Sequence, residues 1–306
     1  MIAGFWSGLS GRLADRTAAA VFSPAFAFWV AGLLAWYVSD PGRLAASAAE
    51  AARLPEVTLL GAVVLLLMVV AASGVLAEQL APAALRLLQG HWPRPLTPLA
   101  GRLARRHRER QERLEERWQE LYARVAAEAA SPGDEDELLD VEQRLAAMPA
   151  RPDLLLPTRL GNLLRAAETG VHDKYGMDAV RCWPALWLLL PEFTRTEVAG
   201  ARKTLDAVAV WWIWSALLAV WTALTPWALP VAAVAAALSY AALLGAAARY
   251  GELVDAAFAL HRGLLYEAVG RPVPGSPDAE VSCGKALTAA LWRGPAGAGP
   301  PHAPPP

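Results

Sequence analysis

Residues 57–77 read VTLLGAVVLLLMVVAASGVLA, a stretch with no charged side chain and no histidine. A helix crossing roughly 30 Å of hydrocarbon needs about 20 mostly apolar residues, so this stretch is long enough to span a bilayer. Three further blocks share the pattern: Ala20–Val38, Ala207–Thr225 and Ala228–Ala248. They form two pairs around a long charged insert. Apolar residues make up 55% of the chain and charged residues 19%, so charge is segregated from the apolar blocks rather than spread through them. A soluble protein with four buried, wholly uncharged helices is the poorer alternative. The pattern predicts an all-α polytopic membrane protein, with four transmembrane helices in two hairpins and a helical cytoplasmic domain.

The expected organisation is an N-terminus at 1–19, a hairpin at 20–77, an insert at 78–206, a second hairpin at 207–248 and a helical extension at 249–270. A Pro- and Gly-rich, mostly disordered tail covers 271–306, interrupted by a short helix around Asp278–Trp292. Arg12 and Arg16 with Ala46-Ser47-Ala48 resemble signal-peptide flanks, but the first block exceeds the 7–15 residues of a signal core, so an anchored span is expected. Ser23-Pro24 suits a helix N-cap and first position, which would shorten that span. The insert carries 19 Arg and Lys, whereas the loop between the first two blocks has Arg43 and Arg53 and the Pro226-Trp227 loop has none. The positive-inside rule then places the insert and both termini in the cytoplasm, in a multi-pass plasma-membrane protein.

Within the spans, small residues recur every fourth position: Ala27, Ala31 and Ala35; Ser215, Ala219 and Ala223; Ala233, Ala237, Ala241 and Gly245. Such stripes let helix backbones approach closely, within one chain or in a homo-oligomer. Trp211, Trp212 and Trp214 at one end of the third block, and Trp221 and Trp227 at the other, read as interfacial belts. Ion-coupled carriers place ionisable groups among their spans, and these blocks hold none, so a coupled transporter is disfavoured while a passive pore stays open. Cys182 and Cys283 both fall on the side assigned to the reducing cytoplasm, so a disulfide is not expected; they form no CxxC or His/Cys cluster, so no metal is expected, and no cofactor.

The insert begins with a helix former from about Leu99 to Ala130. Its tightest basic cluster is Arg102, Arg105, Arg106, His107, Arg108 and Arg110, of which the five arginines are the candidate contact with anionic lipid or a partner protein. Nucleic acid is not indicated. Glu109–Arg113 and Glu120–Arg124 are favourably ordered i,i+4 pairs. Leu114, Trp118, Leu121 and Val125 make a short coiled-coil-like seam. Asp134–Met148 reads as an amphipathic helix whose acids can fold back on the basic one. Thr194-Arg195-Thr196-Glu197 resembles a capping box opening the helix into the third span. Beyond the fourth span, Leu253, Ala257, Leu260 and Leu264 continue an apolar face.

The most distinctive segment holds Arg159, Gly161, Asn162, Arg165 and Glu168 in RLGN-x-LRAAE, then Tyr175, Gly176 and Asp178 in KYG-x-D, and Trp183 and Pro184 in WP-x-L. Asp178 is placed to cap the helix that follows. Over residues 157–192 this resembles a family of uncharacterised multi-span membrane proteins from high-GC, actinobacteria-like bacteria, which implies bacterial origin and membrane residence. Three Lys (Lys174, Lys203 and Lys285) beside abundant Arg fit a high-GC genome. Arg165, Glu168, His172, Asp173 and Asp178 are ionisable neighbours, but no HExxH, GxSxG, P-loop or GxGxxG accompanies them. The leading expectation is a non-enzymatic membrane scaffold or signal-coupling protein. An oligomeric pore is second, and an enzyme in the insert third.

Overall fold

A computed structural model describes residues 23–127, 131 and 133–294, and among these the chain is all-α, with no strand. Expectations for 1–22, for 128–130 at the end of the Leu99–Ala130 stretch, and for 295–306 lie outside the described residues. In chain order the helices are α1 Pro24–Ser39, α2 Pro41–Ala51, α3 Glu56–Leu88, α4 Thr97–Ala126 and α5 Asp134–Ala146, then α6 Arg159–Tyr175, α7 Ala179–Leu189, α8 Glu192–Leu217, α9 Ala228–Ala268 and α10 Pro277–Arg293.

Three of these are long and apolar enough to cross a membrane: α3, α8 with its 3₁₀ continuation to Ala223, and α9. This is one fewer than the four expected. α1 has 16 residues, about 24 Å at 1.5 Å per residue. Local chemistry fixes both of its ends. Ser23 Oγ accepts the Phe26 N–H at 3.2 Å and Pro24 occupies the first turn, where no N–H is required. At the other end Asp40 precedes Pro41 and is driven out of the helical region.

The chain divides into two compact units. One holds the residues up to Leu85 with Asp206–Leu243, the other Arg86–Leu205 with the residues from Leu244 onward. In the first unit Ala25, Ala77 and Trp214 form the core. The Phe28 ring lies 5.0 Å from both Trp214 and Trp221. Trp29 Nε1 donates to Ser73 Oγ at 3.2 Å. A Cβ on Gly32 would collide with the Trp221 indole, so glycine is what admits that ring. Trp214 and Trp221 are therefore internal packing rather than belt residues, while Trp211 and Trp227 stay exposed. Small-residue spacing is used only in part. Of the expected stripe on α1 Ala35 is buried, Ala31 half-buried and Ala27 exposed, the buried small residues there being Ala25, Gly32 and Ala35. Ser215 is buried but Ala223 exposed, and Ala233, Ala237, Ala241 and Gly245 are all exposed on α9. Val57–Val69 is exposed without interruption on α3, an apolar surface far larger than water tolerates on an isolated soluble chain.

In the second unit the core gathers Val171, Met177, Leu186, Phe258, Tyr266 and Leu287. Leu287 belongs to α10, so the short helix read at Asp278–Trp292 is a packed element within the stretch assigned to the tail. Its docking rests on two glycines. A Cβ on Gly284 would strike the Tyr175 carbonyl, and one on Gly176 (φ +69°) the Val281 carbonyl. Thr288 Oγ1 then accepts the Asp178 N–H at 3.1 Å. The Arg262 guanidinium pairs with Glu280 and lies 4.5 Å from the Tyr175 ring.

Helix ends differ in how they follow the sequence. Asp178 caps α7 by accepting the Arg181 N–H at 3.1 Å. The expected capping box at Thr194–Glu197 does not form, because α8 starts at Glu192 and Thr194 faces His261 at 3.4 Å. The α9 extension buries Ala257, Phe258, Leu265 and Tyr266, a face rotated from the expected one, and leaves Leu260 exposed. Gly284→Ala should lower the melting temperature of the detergent-solubilised chain, since the added methyl costs about 1–3 kcal/mol of overpacking. Gly263→Ala is the control: open space surrounds that position, and a helical Ala gains about 0.5–1 kcal/mol. Equal melting of the two variants would contradict the packing described.

Candidate functional site

α4 and α5 form an antiparallel hairpin, because contacts pair rising positions on α4 with falling ones on α5 and its exit. Gln111 Nε2 donates to the Pro149 carbonyl at 3.2 Å, Trp118 Nε1 to Glu142 at 3.0 Å, and Arg117 to Glu137 at 2.8 Å through each of two nitrogens. Arg124 approaches Asp134 at 3.6 Å. Leu121 and Val141 are buried between the helices, so the seam Leu114–Val125 is spent within the chain on this hairpin. The expected Glu120–Arg124 pairing is replaced: Glu120 pairs with Arg117 instead.

The acids of α5 thus meet Arg117 and Arg124, not the tighter basic cluster. Arg102, Arg105, Arg106, Arg108 and Arg110 are all exposed. Arg108 donates to the Pro152 carbonyl at 3.3 Å. Among the described residues Arg102, Arg105, Arg106 and Arg110 make no ion pair, and they leave a positively charged half-helix.

The distinctive segment supplies joints as well as charge. Thr158 Oγ1 caps α6 through the Gly161 N–H at 3.0 Å. A Cβ on Gly161 would collide with the Gln89 carbonyl. Gln89 lies in the reversal after α3, where His91 N donates to Arg86 O and Gly90 N to Leu87 O, the Schellman pattern with Gly90 at φ +94°. Asn162, 1% exposed, accepts the Leu156 N–H at 2.6 Å through Oδ1. Trp183 packs on Phe258, and Pro184 sits exposed inside α7.

Arg165, Glu168, His172, Asp173, Asp178 and Arg181 line one groove of about 420 Å³. Its charges pair locally, Arg165 with Glu168 at 3.3 Å and Arg181 with Asp178 at 3.3 Å. A second, smaller pocket of about 280 Å³ brings together parts the sequence kept apart: Arg110 of the basic cluster, Arg159 and Asn162 of the distinctive segment, and His107 and Arg144. Arg144 pairs with Asp140 at 2.7 Å. Burial, aided by the positive charge of Arg110 and Arg159, holds His107 below the ordinary histidine pKa against the opposing hydrogen bond to the Pro157 carbonyl. His107 belongs to the basic cluster read from the sequence, but its approach to Arg159, and that of Arg144, escaped that reading because only the α4–α5 reversal and the seating of α6 bring them together.

Among the described residues no cluster of three His, Cys, Asp or Glu could hold a metal ion. Burial raises the Cys182 thiol above its ordinary pKa, which works against a reactive thiolate. Comparison with family models, curated proteins and solved structures finds no match.

The hairpin carries a pH dependence of definite sign. Arg117 holds the Glu137 carboxyl below its ordinary pKa, and the Ser131 N–H does the same for Asp134. Depressed carboxyl pKa values stabilise the folded state above the unfolded values of about 4, and that stabilisation is lost as pH falls through the folded values. Amide exchange in α5 should therefore accelerate as pH drops below about 4, after correction for intrinsic rates. Glu137→Gln should remove much of that acid response; an unchanged response would show that the pair does not hold the hairpin.

Proposed function

We propose that the protein is an integral membrane scaffold whose helical domain engages an anionic surface through the basic half of α4. One observation carries this reading: Arg102, Arg105, Arg106 and Arg110 remain exposed and unpaired among the described residues, while the acids of α5 pair with Arg117 and Arg124 farther along the same helix. Each basic residue near an anionic membrane contributes about 1 kcal/mol. The long apolar helices supply the membrane, since their exposed surfaces need a hydrocarbon solvent.

In this reading residues 78–206 face the cytoplasm, as the concentration of Arg and Lys there favours. α1 makes a fourth, short crossing, with the bilayer or flanking residues absorbing the mismatch. Its register supports that placement. Ala25 packs by Ala77 and Trp29 by Ser73, so α1 runs antiparallel to α3. Ala25 also meets Trp214 and Gly32 meets Trp221, so α1 runs parallel to α8. In this reading α1 enters from the side of the insert.

Two measurements test the proposal. In nanodiscs, replacing part of a zwitterionic lipid by an anionic phospholipid should slow amide exchange across residues 99–113, and high salt should reverse the effect. Exchange that ignores lipid charge would refute the contact. Separately, a chain whose sole cysteine is Ser10→Cys should be labelled by a membrane-impermeant maleimide only when the face bearing the insert is accessible. Labelling from the opposite face would leave three crossings, with α1 a partial insertion.

A further inference from the structure

The pocket between α4, α5 and α6 has features of a built binding site. Arg110, Arg144 and Arg159 line it against a single acid, Asp140, which Arg144 already engages. Asn162 is 1% exposed, lines the same pocket, and its Oδ1 is committed to the Leu156 N–H. Its Nδ2 is buried and has no partner among the described residues. Leaving such a donor unpaired costs about 1–3 kcal/mol, a cost that an acceptor supplied by a ligand would remove. Arg110 and Arg159, without an ion pair among the described residues, suit an oxyanion together with the buried amide donor, and phosphate offers several acceptor oxygens at once.

Apolar side chains complete the lining. Leu163 comes from α6, and Leu244 and Ala248 come from the last turns of the uncharged stretch of α9, just before Arg249. A ligand seated here has an anionic end toward Arg110, Arg159 and Asn162 and an apolar part along α9. We infer that this pocket binds a phosphate group, with an anionic phospholipid headgroup as the source favoured by the Leu244–Ala248 wall. The inference deepens the proposed contact with an anionic surface by naming one discrete site within it.

The test uses the full chain in phosphatidylcholine nanodiscs, with thermal unfolding followed by tryptophan fluorescence. The probes are phosphatidylglycerol incorporated in the disc and glycerol phosphate added in solution. Binding to the folded state should raise the melting temperature by about 4 °C or more. Arg110→Gln with Arg159→Gln, both at exposed side chains, should abolish at least most of that rise. Asn162→Asp keeps the acceptor for Leu156 and sets a carboxylate oxygen in place of the free donor, and it should abolish the rise independently. A shift with phosphatidylglycerol alone assigns the phosphate to a lipid headgroup; one with glycerol phosphate assigns it to a soluble ester. No shift in the wild type, or equal shifts in the wild type and both variants, overturns the site.

Arg102→Gln, Arg105→Gln and Arg106→Gln together separate this site from the wider reading, because none of the three lines the pocket. If that triple variant loses lipid-dependent exchange protection while the pocket variants leave the melting shift intact, the surface contact stands and the pocket falls. If glycerol phosphate stabilises the wild type but lipid charge leaves exchange unchanged, the pocket stands and the surface contact falls.

Discussion

Where Gly284 meets the Tyr175 carbonyl and Gly176 meets that of Val281, distant chain segments touch backbone to backbone. No other residue type permits that approach without displacement, since any Cβ would occupy the space of a peptide group. Much of the second unit depends on it. It brings Leu287 into the core, sets Thr288 against the first turn of α7, and places Glu280 beside Arg262. A similar approach of Gly161 to Gln89 seats α6 against the chain leaving α3. Once α6 is seated, Asn162 and Arg159 stand opposite His107 and Arg110. The pocket is therefore a consequence of glycine packing as much as of charge.

The α4–α5 hairpin divides the basic residues of α4 into two populations. Arg117 and Arg124 are neutralised by Glu137 and Asp134 and help close the hairpin. These pairs are partly exposed, and such pairs contribute modestly to stability; the burial of Leu121 on α4 and Val141 on α5 contributes more. Among the described residues the earlier arginines form no ion pair with the acids of α5, although Arg108 bonds the Pro152 carbonyl beyond it. Exposed and unpaired among the described residues, they serve stability little, which is the physical reason for reading them as a contact surface.

Helical class was legible from the uncharged blocks, and several ends were legible from their capping residues. Ser23-Pro24 and Asp178 behave as local chemistry dictates, because a side-chain oxygen three residues before an N–H needs no tertiary context. The fold-back of the acidic helix and the helix near Asp278–Trp292 were also readable, from charge blocks and apolar spacing. What failed was the choice of face. In an alanine-rich helix several stripes have similar composition, so α9 turned Ala232 and Leu243 inward and left Ala233, Ala237, Ala241 and Gly245 outward. Trp214 and Trp221 were read as interfacial because indole favours headgroups, yet Gly32 and Phe28 offered them a packed alternative. The pocket itself was hidden, since its residues come from four separate stretches of sequence and the orphan Asn162 donor exists only after folding.

Direct imaging of the full chain in nanodiscs containing an anionic phospholipid, by cryo-EM, tests the central claim most squarely. The account predicts a lipid belt around Val57–Ala77 and Ala228–Ala248, with Arg102–Arg110 lying against the headgroup layer. It would be contradicted by a belt that leaves Val57–Val69 in water. It would equally be contradicted by a basic half-helix held farther from the headgroups than a Debye length of about 10 Å.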